Sequence, residues 1–364
     1  MKLKDITKFL EDYAPLSLQE SYDNSGLLLG LPEAEINKAI ITLDITNEVI
    51  DEAIDSKCEL IIAHHPLIFK GLKSLTGKTY VEKLVVKAIK NDIAIYAIHT
   101  NLDNIQDGVN GILAEKLGLK NTSILVSSNN GFKKLVTFCP VKHAEKVREA
   151  MFNVGAGHIG NYDSCSYNLM GEGSFRGLEG ANPYVGSKGE IHFEKEIRIE
   201  TIVPDFKIGK VIHAMKAAHP YEEVAYDVYP LDNKNTAIGA GMIGELVTEM
   251  QAKDFLLHLK EMLNCNVIRF NSLIDRKIKK VAICGGSGSF LIESAYRSGA
   301  DIFVTGDVKY HDFFDHQGKM IIADAVHYET EQFTKELLHA ILKENFPNFA
   351  LLISSTVTNP VNVL

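Results

Sequence analysis

Five side chains have the types and spacing to bind metal: His64, His65, Asp103, His327 and Glu331. His64 and His65 close the run Leu60-Ile61-Ile62-Ala63, which reads as a buried strand delivering two imidazoles to a sheet end, where Pro66 stops it. Successive strand residues point opposite ways, so both rings reach one ion only if the chain turns there; otherwise each serves a different ion. His327 and Glu331 are four apart in a helical segment and share one face, offering a nitrogen and an oxygen together. Asp103 lies just past the apolar strand that ends at His99. Three imidazoles and two carboxylates exceed the three protein ligands usual for one catalytic zinc. A pair of ions about 3.5–4 Å apart uses the set better. Mixed nitrogen and oxygen ligands suit zinc, iron(II), manganese or cobalt alike. Taken singly, each residue also has an ordinary reading, as a hydrogen-bonded strand-end histidine or a helix-surface pair.

The elements that must position these groups follow from periodicity. Ile6, Phe9, Leu10 and Tyr13 give a first helix over 4–13. Asp23 and Asn24 lie in a polar loop, where they line a site or simply make a turn, the commoner role of such residues. Strand 38–43, helix 47–56 and strand 59–63 form a βαβ unit, which implies parallel pairing. A helix over 80–90, a strand over 93–98 and a helix over 110–117 capped by Gly118 follow. The Ser-Ser-Asn-Asn of 127–130 reads as a linker. Beyond it, strands near 135–140, 164–170, 191–203 and 224–230 with helices at 142–154 and 207–218 suggest a ferredoxin-like α+β module inserted in a larger fold. The chain then returns to strands at 280–284, 301–304, 320–323 and 350–354, helices at 251–263 and 290–298, and one long helix over 327–344. The expected division is 1–127, 128–234 and 235–364. Shifted by 242 positions, Lys38–Thr42 falls on Lys280–Cys284 and Ser56–Ile62 on Ser298–Val304, so the outer segments read either as two related α/β halves or as two ordinary βαβ units.

Composition bounds the function. The 364 residues are 46% hydrophobic and 23% charged, as in a soluble globular protein, and are too many for one ordinary core. A net charge of -9 disfavours a general nucleic-acid binder, which needs a basic surface. The five cysteines are dispersed, with no CxxC, as expected of reduced thiols in a cytoplasmic protein. The N-terminus reads as an amphipathic helix and not a signal sequence, and no apolar run reaches the ~20 residues of a membrane span.

The motifs Tyr22-Asp23-Asn24-Ser25-Gly26-Leu27, Ala63-His64-His65-Pro66-Leu67-Ile68-Phe69, His99-Thr100-Asn101-Leu102-Asp103, Gly285-Gly286-Ser287-Gly288, Thr305-Gly306-Asp307 and His327-Tyr328-Glu329-Thr330-Glu331 resemble, in order, those of the GTP cyclohydrolase 1 type 2, or NIF-three-like, proteins. The resemblance implies a NIF-three-like domain of two α/β halves, interrupted by a PII/CutA-like insert that carries Gly155–Tyr162 and Ala218–Glu223. It implies a two-metal site on His64, His65, Asp103, His327 and Glu331, and a toroidal homohexamer whose metal sites face an internal cavity. Tyr22 stands where many members have tryptophan. Val326 stands where glycine is common, and since a β-branched residue avoids positive φ, the turn into the helix is expected to differ.

The chemistry implied is metal-dependent hydrolysis, with attack at C8 of the GTP purine and loss of formate. His311 or His99 would carry protons, being imidazoles that titrate in the working range, although a structural role holding the Asp103 loop is the commoner one for His99. The loop Gly285-Gly286-Ser287-Gly288-Ser289 offers backbone N–H groups to phosphate, or is a tight turn. Glu329 points away from the helix face of His327 and Glu331 and reads as solvated. The same ions would also suit a phosphatase or nuclease acting on small phosphorylated substrates. A non-enzymatic metal-binding or metal-delivery protein is the alternative of a different class. In that reading the insert senses a ligand or docks a partner, and His158, His219 and Glu222 form a second site unless they are structural.

Overall fold

The computed structural model describes residues 1–128 and 131–364, so Asn129 and Asn130 of the expected linker lie outside the described residues. The chain divides into two compact units: Met1–Ser127 with Thr236–Leu364, and Ser128–Asn235.

The first unit is built on two sheets. One has the strand order Gly26–Leu29, Ala94–Ala97, Leu60–Ala63, Lys38–Thr42, Ala350–Ile353, parallel except for its first strand. Its strands are apolar on both faces because helices cover both. Ala39, Ile41, Leu60, Ile62 and Tyr96 pack on Leu3, Ile6 and Leu10 of the first helix and on Leu338 and Leu342 of a late one. Ile40, Ile61 and Ile95 pack on Val49, Ile50, Leu84 and Val85 from the helices Asn47–Asp55 and Tyr80–Lys90. The second sheet runs Arg269–Phe270, Ile321–Asp324, Ile302–Gly306, Ile278–Ser287, Gly239–Met250, Leu119–Ser127, with a parallel centre and antiparallel flanks.

The two sheets share a register. Ala39 pairs with Leu60 and Ile41 with Ile62 in the first; Val281 pairs with Ile302 and Ile283 with Val304 in the second. Both members of each pair are displaced by the 242 positions of the sequence echo. Sheet membership crosses the chain's halves, however. Leu119–Ser127, a strand that sequence periodicity missed, joins the second sheet, and Ala350–Ile353 joins the first. The expected long helix over 327–344 is two helices, His327–Glu331 and Thr334–Asn345.

The second unit runs strand–helix–strand–strand–helix–strand: Phe132–Pro140, Ala144–Phe152, Ser166–Arg176, Ile191–Pro204, Ile208–Ala218, Tyr226–Leu231. The pairings between these four strands are antiparallel, and Phe132–Pro140 and Ile191–Pro204 are the central strands. Leu135, Cys139, Ile199 and Val203 face Val147, Met151, Val211 and Met215 of the two helices, so the core lies on one side of this sheet.

Candidate metal centre

The five candidate ligands come from three places in the first unit. His64 and His65 follow the strand Leu60–Ala63 directly, and their amides still donate to Thr42 and Leu43 carbonyls. The chain bends there, so the two rings lie side by side with centroids 4.9 Å apart instead of on opposite faces. Asp103 ends the short helix Thr100–Asp103, and His327 and Glu331 bracket the five-residue helix His327–Glu331.

Each imidazole is oriented through Nδ1. His64 Nδ1 donates to the Ile98 carbonyl at 2.8 Å, His65 Nδ1 to Asp44 at 2.7 Å, and His327 Nδ1 to Asp307 at 2.6 Å. His99 Nδ1 donates to Asp23 at 2.8 Å. Carbonyl and carboxylate oxygens only accept, so every Nδ1 carries a proton and Nε2 is the ligand atom. The Nε2 atoms of His65 and His327 are 3.4 Å apart, and each is 3.0 Å from Glu331 Oε2. His64 Nε2 faces Asp103 Oδ1 at 3.7 Å and Glu331 Oε1 at 3.9 Å.

Among the described residues, two overlapping groups could hold a metal ion: His64, His65 and His99, and His65, His327 and Glu331. The structure thus brings His99, read from sequence as a proton carrier or a structural residue, into the cluster itself. His311 is not brought there. It lies exposed on the 3-10 turn Tyr310–Phe314, its ring against Tyr310 and Phe314. Of the expected second set, His219 has both nitrogens engaged: Nε2 donates to the Phe138 carbonyl and Nδ1 accepts from Tyr221 N. Glu222 accepts from Asn182 N, and His158 is exposed; the three are not among the groups of described residues that could hold a metal ion.

Charge is finely divided in this cluster. Burial alone would raise Glu331, but His327, His64 and His65 hold it well below the ordinary carboxylate range. Asp103 moves the other way, up to about 7, through burial and then the charge of Glu331. Burial would lower His65 and His327, yet their carboxylate partners raise them to about 10 and about 9. Asp23 is held far below its ordinary range, since hydrogen bonds from His99 and Thr100 outweigh burial.

Several supporting residues were not legible as such. Asp23 is no mere turn residue: its side chain is buried and accepts from His99 Nδ1, Thr100 N and the Ser25 hydroxyl. Asp44 follows the strand Lys38–Thr42 as Asp103 follows its own strand; that placement was the available signal. Its second oxygen accepts from the Thr358 hydroxyl at 2.7 Å, while Glu52 accepts from Ser354, Ser355 and Thr356. Residues 354–358 therefore brace the partner of His65 from behind. Glu329, expected to be solvated, is 8% exposed, with Oε1 taken by Asn359.

Three N–H groups of the glycine-rich loop are already engaged within the fold. Gly285 N donates to Asn110, Gly286 N to Thr330 and Gly288 N to Thr305. Its function is clearance: Gly286 has φ +60°, and a Cβ there would lie 2.2 Å from Glu331 Oε1. Val326 corrects the other expectation. It does not avoid positive φ; Val326 takes φ 64°, ψ 155°, a conformation essentially reserved for glycine. Beside the cluster is a cleft of about 410 Å³, walled by Tyr22, His99, Asp103, Cys284, Phe290 and Glu331 among others.

Among the described residues no helix is long and apolar enough to cross a membrane. The chain is 41% identical over 360 residues to a GTP cyclohydrolase 1 type 2 homolog of Halalkalibacterium halodurans, covering 98% of this chain and 97% of that one. It is 40% identical over 369 residues to the Bacillus subtilis protein of the same name, covering 99% and 98%. A crystal structure of a Bacillus cereus protein related to NIF3 matches with TM-score 0.86 and 41% identity over 100% of this chain and 99% of that one. A Staphylococcus aureus structure matches with TM-score 0.77 and 32% identity over the same shares. The profile of the Duf34/NIF3 family (NGG1p interacting factor 3) matches residues 1–360, and with it the chain belongs to that family.

Proposed function

We propose that the protein is a dimetal-dependent hydrolase acting on GTP or a related nucleotide. The observation that carries the reading is a set of three Nδ1-anchored imidazoles whose Nε2 atoms meet two carboxylates. His64 Nε2 and Asp103 Oδ1 are buried without a hydrogen-bond partner. Such atoms are costly to bury unless a cation takes them, so the residues fit a bound metal. His64, His65, Asp103, His327 and Glu331 would hold it, and five ligands support two divalent ions of zinc, iron(II) or manganese. Bound there, the ions supply Lewis acidity and lower the pKa of a water from about 15.7 to about 7.

The chain's own groups supply the rest. Tyr22 and Phe290 are 63% and 70% exposed and offer ring faces at the cleft to a flat base. Its volume of about 410 Å³ is within the usual span of small-molecule sites, about 300–1,000 Å³. His99, with Nδ1 committed to Asp23, accepts or returns a proton at Nε2. The names of the relatives from Halalkalibacterium halodurans and Bacillus subtilis support GTP as the first substrate to try. The same ions would serve a phosphatase or nuclease on small phosphorylated substrates. A metal-delivery role is the second reading, and it is favoured by the side chains of His327 and Asp307, 36% and 52% exposed, where an ion would exchange with solvent.

Around this site we place a homohexamer in the cytoplasm. Its two outer halves are related, as the shared register supports, and residues 128–234 form a PII/CutA-like insert, as the βαββαβ order supports. The test begins with metal per chain in untagged protein prepared without chelator. About two ions per chain, reduced in His327→Ala, followed by turnover of GTP that disappears in His64→Ala, is the expected result. Near-zero metal with no uptake of zinc, iron(II) or manganese overturns it; full metal with no turnover of any nucleotide or phosphomonoester leaves the delivery reading.

A further inference from the structure

The unit Ser128–Asn235 contains a cleft of about 790 Å³ in which no function has yet been placed. It lies on the sheet face opposite the helices. Leu135, Cys139 and Ile199 point into the core, so their neighbours Phe138, Glu196 and Arg198 point the other way, into the cleft. An antiparallel sheet commonly leaves this face to water. Here the segment 177–184 roofs it, pinned where Asn182 N donates to Glu222 at 2.7 Å and where Tyr184 Oη meets His143 Nε2 at 2.9 Å.

The floor is made by omission. Gly171 pairs with Glu196 and Gly173 with Glu194 on the strand Ser166–Arg176, so two successive positions on the cleft face lack side chains. A Cβ at Gly173 would lie 2.3 Å from Glu196 Oε2, whereas one at Gly171 would meet nothing within 4 Å. Glycines inside a strand often mark a close approach by a ligand. They uncover a carboxylate only 9% exposed, whose Oε1 accepts from Tyr221 Oη at 2.9 Å. Around it stand aromatic rings: Tyr221 lies 6.0 Å from Phe175 and 6.2 Å from Tyr184. Of the two arginines on the wall, Arg198 is already paired with Glu200 at 2.8 Å, while Glu172, Glu222 and Glu223 add negative charge.

We propose that this cleft binds a small organic cation, a protonated amine or quaternary ammonium, with Glu196 as its counter-charge and Phe175, Tyr184 and Tyr221 as its aromatic wall. Ring faces attract such cations, and a desolvated carboxylate beneath them gains most from one. Its residues belong to the unit Ser128–Asn235, and those of the metal centre to the other unit.

The experiment is calorimetric titration of the full chain with choline and with putrescine. At least one is expected to bind saturably, about one per chain. Glu196→Gln should weaken it tenfold or more, and Gly171→Leu, which enters empty space, should abolish it with circular dichroism and melting unchanged. If Glu196→Gln does not fold, Gly171→Leu alone decides the matter. Failure of both probes to bind overturns the proposal, as does binding that survives both variants. Preferential binding of citrate or ATP, lost in Arg198→Gln, would make it an anion site and overturn it equally. So would a change in oligomeric mass on Gly171→Leu, which would mean that a second copy fills the cleft.

Discussion

His64 Nε2 and Asp103 Oδ1 face each other 3.7 Å apart, both buried and neither hydrogen-bonded. The pair is arranged for something between them and not for each other. Asp103→Asn should therefore separate stability from binding. Its carboxyl is raised to about 7 by burial and by Glu331, so above that pH its charge destabilises the fold. Chelator-treated Asp103→Asn should be more stable than wild type at pH 8, by on the order of 1 kcal/mol, while zinc affinity falls at least about tenfold. Thermal melts with and without zinc read both effects; equal losses in the two conditions would mean that Asp103 is structural.

The histidines set a pH dependence of opposite sign. His65 and His327 have folded values of about 10 and about 9, above the ordinary histidine range near 6.5. Their contribution is complete below about 6.5 and is lost as pH rises through 9 and 10. Chelated protein should lose melting temperature over this interval, and metal-loaded protein should not. Loading at pH 7.5 must displace the Nε2 protons, on the order of two per chain. Calorimetry in buffers of different ionisation enthalpy counts them.

Gly286 has a matched control. Gly286→Ala would drive Cβ against Glu331 Oε1, while Gly299→Ala has a similar φ of +75° and open space around it. Both should lose on the order of 1 kcal/mol from backbone strain. Only the first should also lose metal, read as ions retained after gel filtration.

The orientation of His65 should be separable from its presence. Asp44→Asn keeps the shape but removes the charge that holds Nδ1. Metal affinity is expected to drop about 10–100-fold with the fold intact, which competition against a chromogenic chelator would measure.

Val326→Gly should stabilise the protein. The strain at φ 64°, ψ 155° is on the order of 1–3 kcal/mol. Glycine's unfolded-state entropy offsets about 0.5–1 kcal/mol of the relief. Val326→Ala should bring no gain, since alanine carries the same Cβ. Urea midpoints of the three proteins decide it.

What was legible in the sequence was local. Lys38–Thr42, Asn47–Asp55 and Leu60–Ala63 announce themselves because both sheet faces are buried, so the apolar runs are continuous and their breaks are sharp. The spacing of His327 and Glu331 survives because four residues make nearly one helical turn. Partnerships at long range were not legible. Asp23 reads as a turn because the ring that needs it is 76 positions away. Glu329 reads as solvated because nothing near it in sequence shows that Asn359 will cover it. The strand Leu119–Ser127 was missed because it flanks a sheet, half polar, and lacks the unbroken apolar run of the buried strands.

The brace at 354–358 has a consequence for how the centre is made. Every candidate ligand has been synthesised once Glu331 is added, but Thr358, which fixes Asp44 behind His65, follows 27 positions later. The strand Ala350–Ile353, which closes the first sheet beside Lys38–Thr42, is also made late. A chain made only as far as Glu331 therefore has its ligands but not the scaffold that aims them. The centre takes its final form only once residues 350–358 are secured against the strand Lys38–Thr42 and Asp44.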